Sequence, residues 1–575
     1  MQAPHKLPAA LRTPTLGGAA LALLFWWQSL TPTLIPRSWG TQTVIGTICL
    51  AIGYGIGTLV GCGVEQLLAR RGRSPGGVSR RRSWIVLVAA WLVAIVLGSR
   101  LWLGWQNEQR SLMGMTPIVW LDAVLMSVLS LLAAVLLVIV GRVVARGVAA
   151  AARGIRRRVP SIVSVPAAAL LVVVIVIIVV IGFALGREAA LPALAAAARF
   201  VHAPANEETF EGIVAPESPA VSGSSASFVA WDTLGRWGRT FAATATSRKA
   251  LAKFHGTDAG LVEPVRVYVG LRSADSTEQR ARLAVRELER AGGFNRKVLV
   301  VWVPTGTGWI VPKAATSLEQ LYGGDTAIVA IQYSLLPSLL ANFVDTGLAD
   351  KAAIALFDAV HARWSELPPD RRPKLVLFGK SLGAAGVEAV FAGADASSSL
   401  ANMAARMDGA LIVGGKQSNP VHAQLTRERD RGSPFWQPVF DGGRSARFLN
   451  LDPHQAALGA DWPAPRLVYL QHPGDPAVFW TARALWRPPP WLAQPRGFDV
   501  PRAMHWFPVV TGVQAAGDVL NMLAGVPPGF GHNYSSQEYV LGWASVVPPQ
   551  GWTDADTKRL AQFIDGEIAG DDSEP

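Results

Sequence analysis

A serine between two glycines is the residue that most directly suggests chemistry. Residues 379–383 read Gly-Lys-Ser-Leu-Gly, a G-x-S-x-G pentapeptide centred on Ser381. The apolar run 374–378 before it predicts a buried strand, and the run 384–390 after it predicts the start of a helix. A serine on a tight strand-to-helix turn exposes its hydroxyl for attack on a carbonyl carbon. The setting therefore favours a nucleophile over an incidental glycine-serine turn.

A serine nucleophile needs a base, and the base needs an acid to orient it. His532 lies between Gly531 and Asn533 late in the chain, and we predict it to be the base. Asp475 directly follows a predicted strand, and we predict it to be the acid, although an Asp before Pro is also common in turns. The alternatives that the sequence leaves open are His422, His454, His472 and His505 for the base, and Asp441 and Asp452 for the acid.

The glycine-containing loop 304–309 follows the predicted strand 297–303. In a hydrolase with this order of serine, acid and histidine, such a loop donates one N–H to the oxyanion, and the residue after the serine donates another. We therefore predict an oxyanion hole from the N–H of Leu382 and an N–H of Thr305 or Gly306. A phosphate-cradling loop is the alternative, but the Gly-Lys-Ser/Thr that such a loop requires does not directly follow residues 304–309.

Short apolar runs alternate with helical patterns through residues 263–575, which we predict to form one catalytic domain. This alternation predicts a mostly parallel sheet covered on both faces, with ligands beyond the carboxyl ends of the strands. The predicted strands are Arg266–Leu271, Lys297–Pro304, Thr326–Ser334, Lys374–Phe378, Gly409–Gly415 and Arg466–Gln471. The predicted helices include Glu278–Ala291, Ala352–Ser365 and Gly517–Ala524.

Charge and hydropathy divide the chain in two. Half of its residues are hydrophobic and the mean hydropathy is +0.28, which is typical of a chain with a membrane part. Residues 1–184 hold 17 basic and 3 acidic residues, whereas the remainder holds 36 and 38. The net charge of +12 therefore arises in the hydrophobic part, which indicates membrane topology and argues against a nucleic-acid partner.

Five apolar segments approach the length of about 20 residues that a spanning helix needs. They are about 16–35, 42–64, 84–105, 118–141 and 162–184. A signal peptide is the alternative for the first, which Pro32 and Pro36 shorten, but no convincing cleavage site follows it. We predict a transmembrane domain over 1–185, and turn signals mark 186–262 as a linker and membrane-proximal segment.

Arginines in the loops predict the orientation of these helices. The loops 65–83 and 142–161 carry six arginines each, and the alternate loops carry few basic residues. The positive-inside rule places the two arginine-rich loops and the N-terminus in the cytoplasm. An odd number of helices then predicts that everything after Ala184 is extracytoplasmic.

With these motifs, the chain resembles the actinobacterial membrane-anchored α/β-hydrolase family, in which a multi-helix membrane domain precedes a hydrolase domain. The resemblance is carried by residues 266–271, 304–309, 379–383, 499–506, 510–511 and 531–534. It implies an α/β-hydrolase fold, serine hydrolase activity and a location in the bacterial cell membrane. It implies no particular substrate.

The sequence thus predicts a transmembrane bundle of about five helices followed by an α/β-hydrolase domain with a mostly parallel sheet. The predicted function is that of a membrane-anchored serine hydrolase of acyl esters, with lipid or cell-envelope esters as substrates and no metal or cofactor. An acyltransferase with the same triad and a non-catalytic envelope scaffold are the alternatives. A transporter has only Asp122, within the fourth apolar segment, as support. The oligomeric state is not indicated.

Overall fold

The structure is a computed structural model, and it divides the chain into two compact units. It describes residues 14–71, 80–158, 196–338, 340–341, 347–452, 458–459, 462–493, 495–522 and 525–568. The first unit comprises Met1–Ala190, Trp480–Ala493 and Asp499–Gly525. The second comprises Leu191–Phe479, Gln494–Phe498 and Val526–Pro575.

A seven-stranded sheet, parallel throughout, forms the centre of the second unit. Its strands are β1 (Val265–Val269), β2 (Val298–Val303), β3 (Thr326–Ile331), β4 (Lys374–Lys380), β5 (Gly409–Val413), β6 (Ala446–Leu449) and β7 (Arg466–Leu470). The predicted parallel sheet is confirmed, and each of the six predicted strands overlaps one of these. Only β6, at the edge of the sheet, was missed.

The order of the strands explains where a site can form. The order is β1-β3-β2-β4-β5-β7-β6, so that β3 and β4 lie on opposite sides of β2. Loops that leave adjacent strands on either side of such a reversal open a crevice at the carboxyl edge of the sheet. Val303 at the end of β2 lies beside Gly379 near the end of β4. The loop 304–309 and the turn at Ser381 therefore leave neighbouring strands.

The strands are continuous apolar runs because helices cover both faces of a parallel sheet. All residues of β1, β2 and β3 are buried, including Arg266, whose guanidinium pairs with Glu319 at 2.7 Å. The helices of this unit are α5 (Gly235–Ala243), α6 (Arg248–His255), α7 (Thr277–Ala291), α8 (Pro312–Leu321), α9 (Leu348–Ser365), α10 (Leu382–Phe391), α11 (Ala396–Arg406), α12 (Pro420–Arg427), α13 (Pro476–Phe479), α16 (Ser536–Val546) and α17 (Asp554–Glu567), where the numbering leaves α14 and α15 to the first unit.

The first unit is helical. It contains α1 (Leu16–Ser29), α2 (Trp39–Arg70), α3 (Arg80–Leu112), α4 (Trp120–Arg158), α14 (Pro490–Ala493) and α15 (Val510–Asn521). Among the described residues, three helices are long and apolar enough to span a membrane: Trp39–Leu68, Arg81–Leu112 and Trp120–Val144.

The predicted number of about five spanning helices is therefore imprecise. The segment 16–35 forms a helix of only 14 residues, about 21 Å long, which is too short for a hydrocarbon core of about 30 Å. Pro32 and Pro36 follow the end of that helix, where they were expected to shorten it. The segment 162–184 lies outside the described residues.

The helix α15 comes late in the chain but belongs to the helical unit. The Gln514 side chain donates to the carbonyl oxygens of Ser29 at 2.9 Å and Thr31 at 3.0 Å. Asp518 accepts from the N–H of Leu34 at 3.1 Å and lies 3.7 Å from Arg37 Nε, with both charged side chains fully buried. Residues 480–493 and 499–525, inside the predicted catalytic range 263–575, thus pack with the N-terminal helices.

Candidate active site

Ser381 lies on a strained turn between β4 and α10. Its backbone has φ 55° and ψ −115°, which only glycine adopts without strain, and its N–H donates to Val413 in β5 at 2.9 Å. A Cβ on Gly379 would lie 2.4 Å from the carbonyl oxygen of Gly383, and a Cβ on Gly383 would lie 2.3 Å from that of Val303. Larger residues at either position would push the turn apart, so the two glycines of the pentapeptide are required by packing.

The predicted base and acid are in direct contact. His532 Nδ1 donates to Asp475 Oδ2 at 2.8 Å, and both side chains are almost fully buried. Asp475 directly precedes α13, and its other oxygen accepts from the N–H of Ala477 at 2.9 Å. The hydroxyl of Tyr534 donates to the same Oδ2 at 2.8 Å. These donors hold the carboxylate in one orientation toward the imidazole.

The imidazole of His532 lies at the same edge of the sheet as Ser381, at the carboxyl ends of β4 and β5. A Cβ on Gly414 would lie 2.5 Å from Cε1 and 2.9 Å from Nδ1 of the ring. Gly414 immediately follows Val413, the residue that accepts from the Ser381 N–H. Within the described part of the chain, the buried Nε2 of His532 has no hydrogen-bond partner. Hydrogen bonds of catalytic groups are often long before substrate binds, so an open Nε2 is compatible with a base.

A second pair of residues supports the loop that carries His532. His472 Nδ1 donates to the carbonyl oxygen of Gly531 at 2.7 Å, and its Nε2 lies 2.5 Å from Glu538 Oε1. The His472 ring stacks on Tyr534 with 4.4 Å between centroids. Burial, together with the nearby Asp475, raises the pKa of Tyr534 well above its usual value, so this hydroxyl stays protonated and can donate. Sequence reasoning missed both roles because it considered His472 only as a base.

The N–H groups of the three predicted oxyanion donors differ in their hydrogen-bond acceptors. Leu382 opens α10, where the first N–H groups of a helix have no acceptor within the helix. The N–H of Thr305 donates to the carbonyl oxygen of Trp309 at 3.2 Å, and the N–H of Gly306 donates to Ser338 Oγ at 3.1 Å. A substrate oxygen would have to replace the Ser338 hydroxyl to use Gly306. The oxyanion roles of Leu382, Thr305 and Gly306 stay predictions.

The alternative histidines have other environments. His422 is fully buried, with Nε2 2.7 Å from Gln471 Oε1, and burial lowers its pKa to about 4. His505 belongs to the first unit, where it lies 2.8 Å from Gln28 Oε1. His454 lies outside the described residues. Of the alternative acids, Asp441 pairs with Arg444 at 2.5 Å on the surface, and the side chain of Asp452 is partly buried.

A buried carboxyl group holds the far part of α10 in place. Glu388 accepts from the N–H groups of Val421 at 2.8 Å and His422 at 3.1 Å, and from the hydroxyl of Tyr469 at 3.0 Å. Burial raises its pKa to about 7 against the opposing effect of these hydrogen bonds. The helix that follows Ser381 is thereby tied to α12 and β7.

The arrangement can support acyl transfer to and from a serine. A strained serine, a buried imidazole oriented by a carboxylate, and a helix N-terminus behind the serine are the groups that such a reaction requires. Among the described residues, no cluster of three His, Cys, Asp or Glu side chains could hold a metal ion.

Comparison with known protein families agrees with the fold. The model of a family described as "Alpha/beta-hydrolase family" matches residues 265–560, and that of its N-terminal region, "Alpha/beta-hydrolase family N-terminus", matches residues 30–245. No curated protein and no solved structure matches the chain significantly.

Proposed function

The chain belongs to the alpha/beta-hydrolase family, and on that premise we propose that it is a serine hydrolase of acyl esters with Ser381, His532 and Asp475 as its catalytic triad. The observation that carries the proposal is the buried contact of 2.8 Å between His532 and Asp475. It leaves Nε2 of the same ring for proton transfer. The strained turn of Ser381 follows β4, and its N–H donates to Val413 of β5, next to the residue that contacts the His532 ring.

Each residue of the triad has one task. Ser381 Oγ attacks the acyl carbonyl carbon while His532 Nε2 takes its proton, and the collapse of the tetrahedral intermediate releases the alcohol, which receives that proton. Water then attacks the carbonyl carbon of the acyl-serine while His532 Nε2 takes its proton. Ser381 Oγ leaves and receives that proton, and the carboxylic acid is released. Asp475 holds the imidazole in the required tautomer and stabilises its protonated form. An oxyanion donor such as the Leu382 N–H contributes about 3–4 kcal/mol to the transition state.

The membrane part suggests the substrate class. Three apolar helices of the described residues are long enough to span a membrane, and this supports membrane association. For an active site that is anchored to a membrane, esters at the membrane surface are present at a higher local concentration than esters dissolved in water. We therefore assign lipid or cell-envelope acyl esters as substrates, with transfer to another hydroxyl in place of water as the acyltransferase variant.

Covalent labelling tests the nucleophile. A fluorophosphonate probe reacts with an activated serine hydroxyl, so the full-length protein in mild detergent should be labelled at one site that maps to Ser381. The Ser381→Ala variant should show no labelling and no hydrolysis of p-nitrophenyl esters, because Ala has no attacking oxygen.

Ser365→Ala provides the matched control, because Ser365 is an exposed serine at the end of α9. This variant should be labelled as strongly as the wild type. Equal labelling of Ser381→Ala and the wild type would refute the triad and would favour a non-catalytic scaffold.

The loop charges support an extracytoplasmic catalytic domain. Twelve arginines lie in the segments 65–83 and 142–161, at and beyond the ends of the long apolar helices, and each arginine costs about 2.5–3.5 kcal/mol at the centre of a spanning helix. By the positive-inside rule we place these clusters at the cytoplasmic surface. The last predicted segment, 162–184, then carries the chain outward.

Cysteine accessibility tests this orientation. On a background without Cys49 and Cys62, a Ser365→Cys variant should react with an impermeant maleimide in intact cells. An Arg71→Cys variant, in a loop assigned to the cytoplasm, should react only after lysis. The reverse pattern would place the catalytic domain inside and would remove envelope esters from the candidate substrates.

A further inference from the structure

An apolar cavity lies between α1, α2, α3 and α4 of the helical unit. Its volume is about 410 Å³, within the range of about 300–1,000 Å³ that is usual for small-molecule sites. Along α4 it extends from Leu131 to Arg142. The eleven helical steps between these two residues span about 16 Å, close to the thickness of one leaflet of a hydrocarbon core of about 30 Å. The cavity thus has the depth of a single leaflet.

The polar groups of the cavity gather at one end. Arg142 Nη2 donates to the hydroxyl of Tyr54, and the guanidinium lies 5.4 Å from the centroid of that ring. The N–H of Thr15, the residue that caps α1, donates to the same hydroxyl at 3.2 Å, and Thr15 and Thr58 are joined through their hydroxyls at 2.8 Å. Arg142 and Tyr54 line this end of the cavity, and the two threonine hydroxyls and the positive end of the α1 dipole lie next to them.

The rest of the lining is hydrocarbon. Trp91, Ile95 and Leu50 are among the apolar lining residues, and of the described residues that line the cavity none is acidic. A ligand for such a site must have a long apolar portion and an anionic head. A basic pocket between spanning helices selects the phosphate of an anionic lipid, whereas the apolar part accepts an acyl chain without headgroup preference.

We propose that this cavity is a binding site for one anionic membrane phospholipid, with an acyl chain between α3 and α4 and the phosphate at Arg142 and Tyr54. The site is separate from the residues of the proposed triad. Its existence does not depend on the proposed hydrolase activity.

Native mass spectrometry of the full-length protein tests the site. The Ser381→Ala variant is used as the background, so that no bound lipid is consumed. Phosphatidylglycerol and diacylglycerol with the same oleoyl chains are titrated from detergent micelles. Phosphatidylglycerol should bind at least tenfold more tightly at one site, because diacylglycerol has no phosphate to accept charge-assisted hydrogen bonds from Arg142.

Three further variants separate the head from the chain. Arg142→Gln should lower the affinity for phosphatidylglycerol about tenfold and leave diacylglycerol unchanged. Val138→Trp, which fills the cavity, should weaken both lipids. Arg100→Gln is the matched control, because Arg100 is exposed on α3 and does not line the cavity, and it should change neither.

Equal affinity of the two lipids in the parent protein would overturn the proposal. So would equal losses in Arg142→Gln and Arg100→Gln. A photo-crosslinking group at Val135, which lines the cavity, should capture lipid. Capture of peptide 162–184 in its place would show that the chain itself fills the cavity, and this too would overturn the proposal.

Discussion

Replacement of His532 by glutamine should lower kcat for ester hydrolysis by about 10⁵–10⁶-fold, the range seen when a triad loses its base. The reason is that His532 is the residue whose second ring nitrogen remains open once Asp475 has bound the first. Asp475→Asn should cost less, about 10⁴-fold, because the imidazole survives but is held in the wrong tautomer. The ratio of the two losses is therefore diagnostic of a base and its orienting acid.

The measurement is kcat on a p-nitrophenyl ester at saturation, with thermal unfolding as a check on folding. His361→Gln provides the matched control, because His361 lies on α9 outside the site, and its activity should stay within about twofold of the wild type. If His532→Gln kept more than a hundredth of the activity while His472→Gln lost nearly all of it, the base would be His472 instead.

Breaking the buried pair of Arg37 and Asp518 should lower the free energy of unfolding by about 3–5 kcal/mol. Both side chains are fully buried, so Arg37→Leu leaves an uncompensated carboxylate and Asp518→Leu an uncompensated guanidinium. Exchange of both residues for leucine should cost much less than the sum of the single changes, because no charge then remains buried. Denaturant unfolding in mild detergent measures all three variants.

The same pair makes stability depend on pH in a defined direction. Burial raises the pKa of Asp518 to about 6, against the opposing attraction of Arg37. Because the folded protein binds this proton more tightly than the unfolded chain, stability falls as pH rises from about 4 to about 6. In Arg37→Leu the decline should continue to higher pH, since the attraction that lowers this pKa is gone.

The exposed pair of Asp441 and Arg444 is the control for these experiments, and Arg444→Leu should change stability by no more than about 1 kcal/mol. Losses as small as this for Arg37→Leu and Asp518→Leu would show that water reaches the pair, contrary to its burial in the structure.

The sequence was sufficient to predict the sheet and the contact between His532 and Asp475. Apolar runs of five or six residues are distinctive. His532 was identified by its glycine neighbour and by its place after the acid, in the order serine, acid, histidine. The strand β6 was missed because its four residues, Ala-Arg-Phe-Leu, alternate at the sheet edge and include a charge. Pattern alone does not separate so short a run from a loop.

What the sequence could not predict depends on pairing across long separations. Tyr534 donates to Asp475 over 59 residues, and His472 meets Glu538 over 66. No periodicity links such residues. The helix predicted at Gly517–Ala524 begins earlier, at Val510. The carbonyl groups of the N-terminal helical unit that Gln514 binds lie more than 480 residues upstream, so no local pattern assigns this helix to that unit.

The return of α15 to the N-terminal helices affects the order of biosynthesis. Leu34 and Asp518 are 484 residues apart in the chain. At about 5–20 residues per second, a ribosome needs roughly 25–100 s to supply the second after the first. Through that interval Arg37 is without its carboxylate, and the helical unit stays unfinished while all seven strands of the hydrolase sheet are made. A helix that is translated after all seven strands thus completes a structure whose first helices were made at the start.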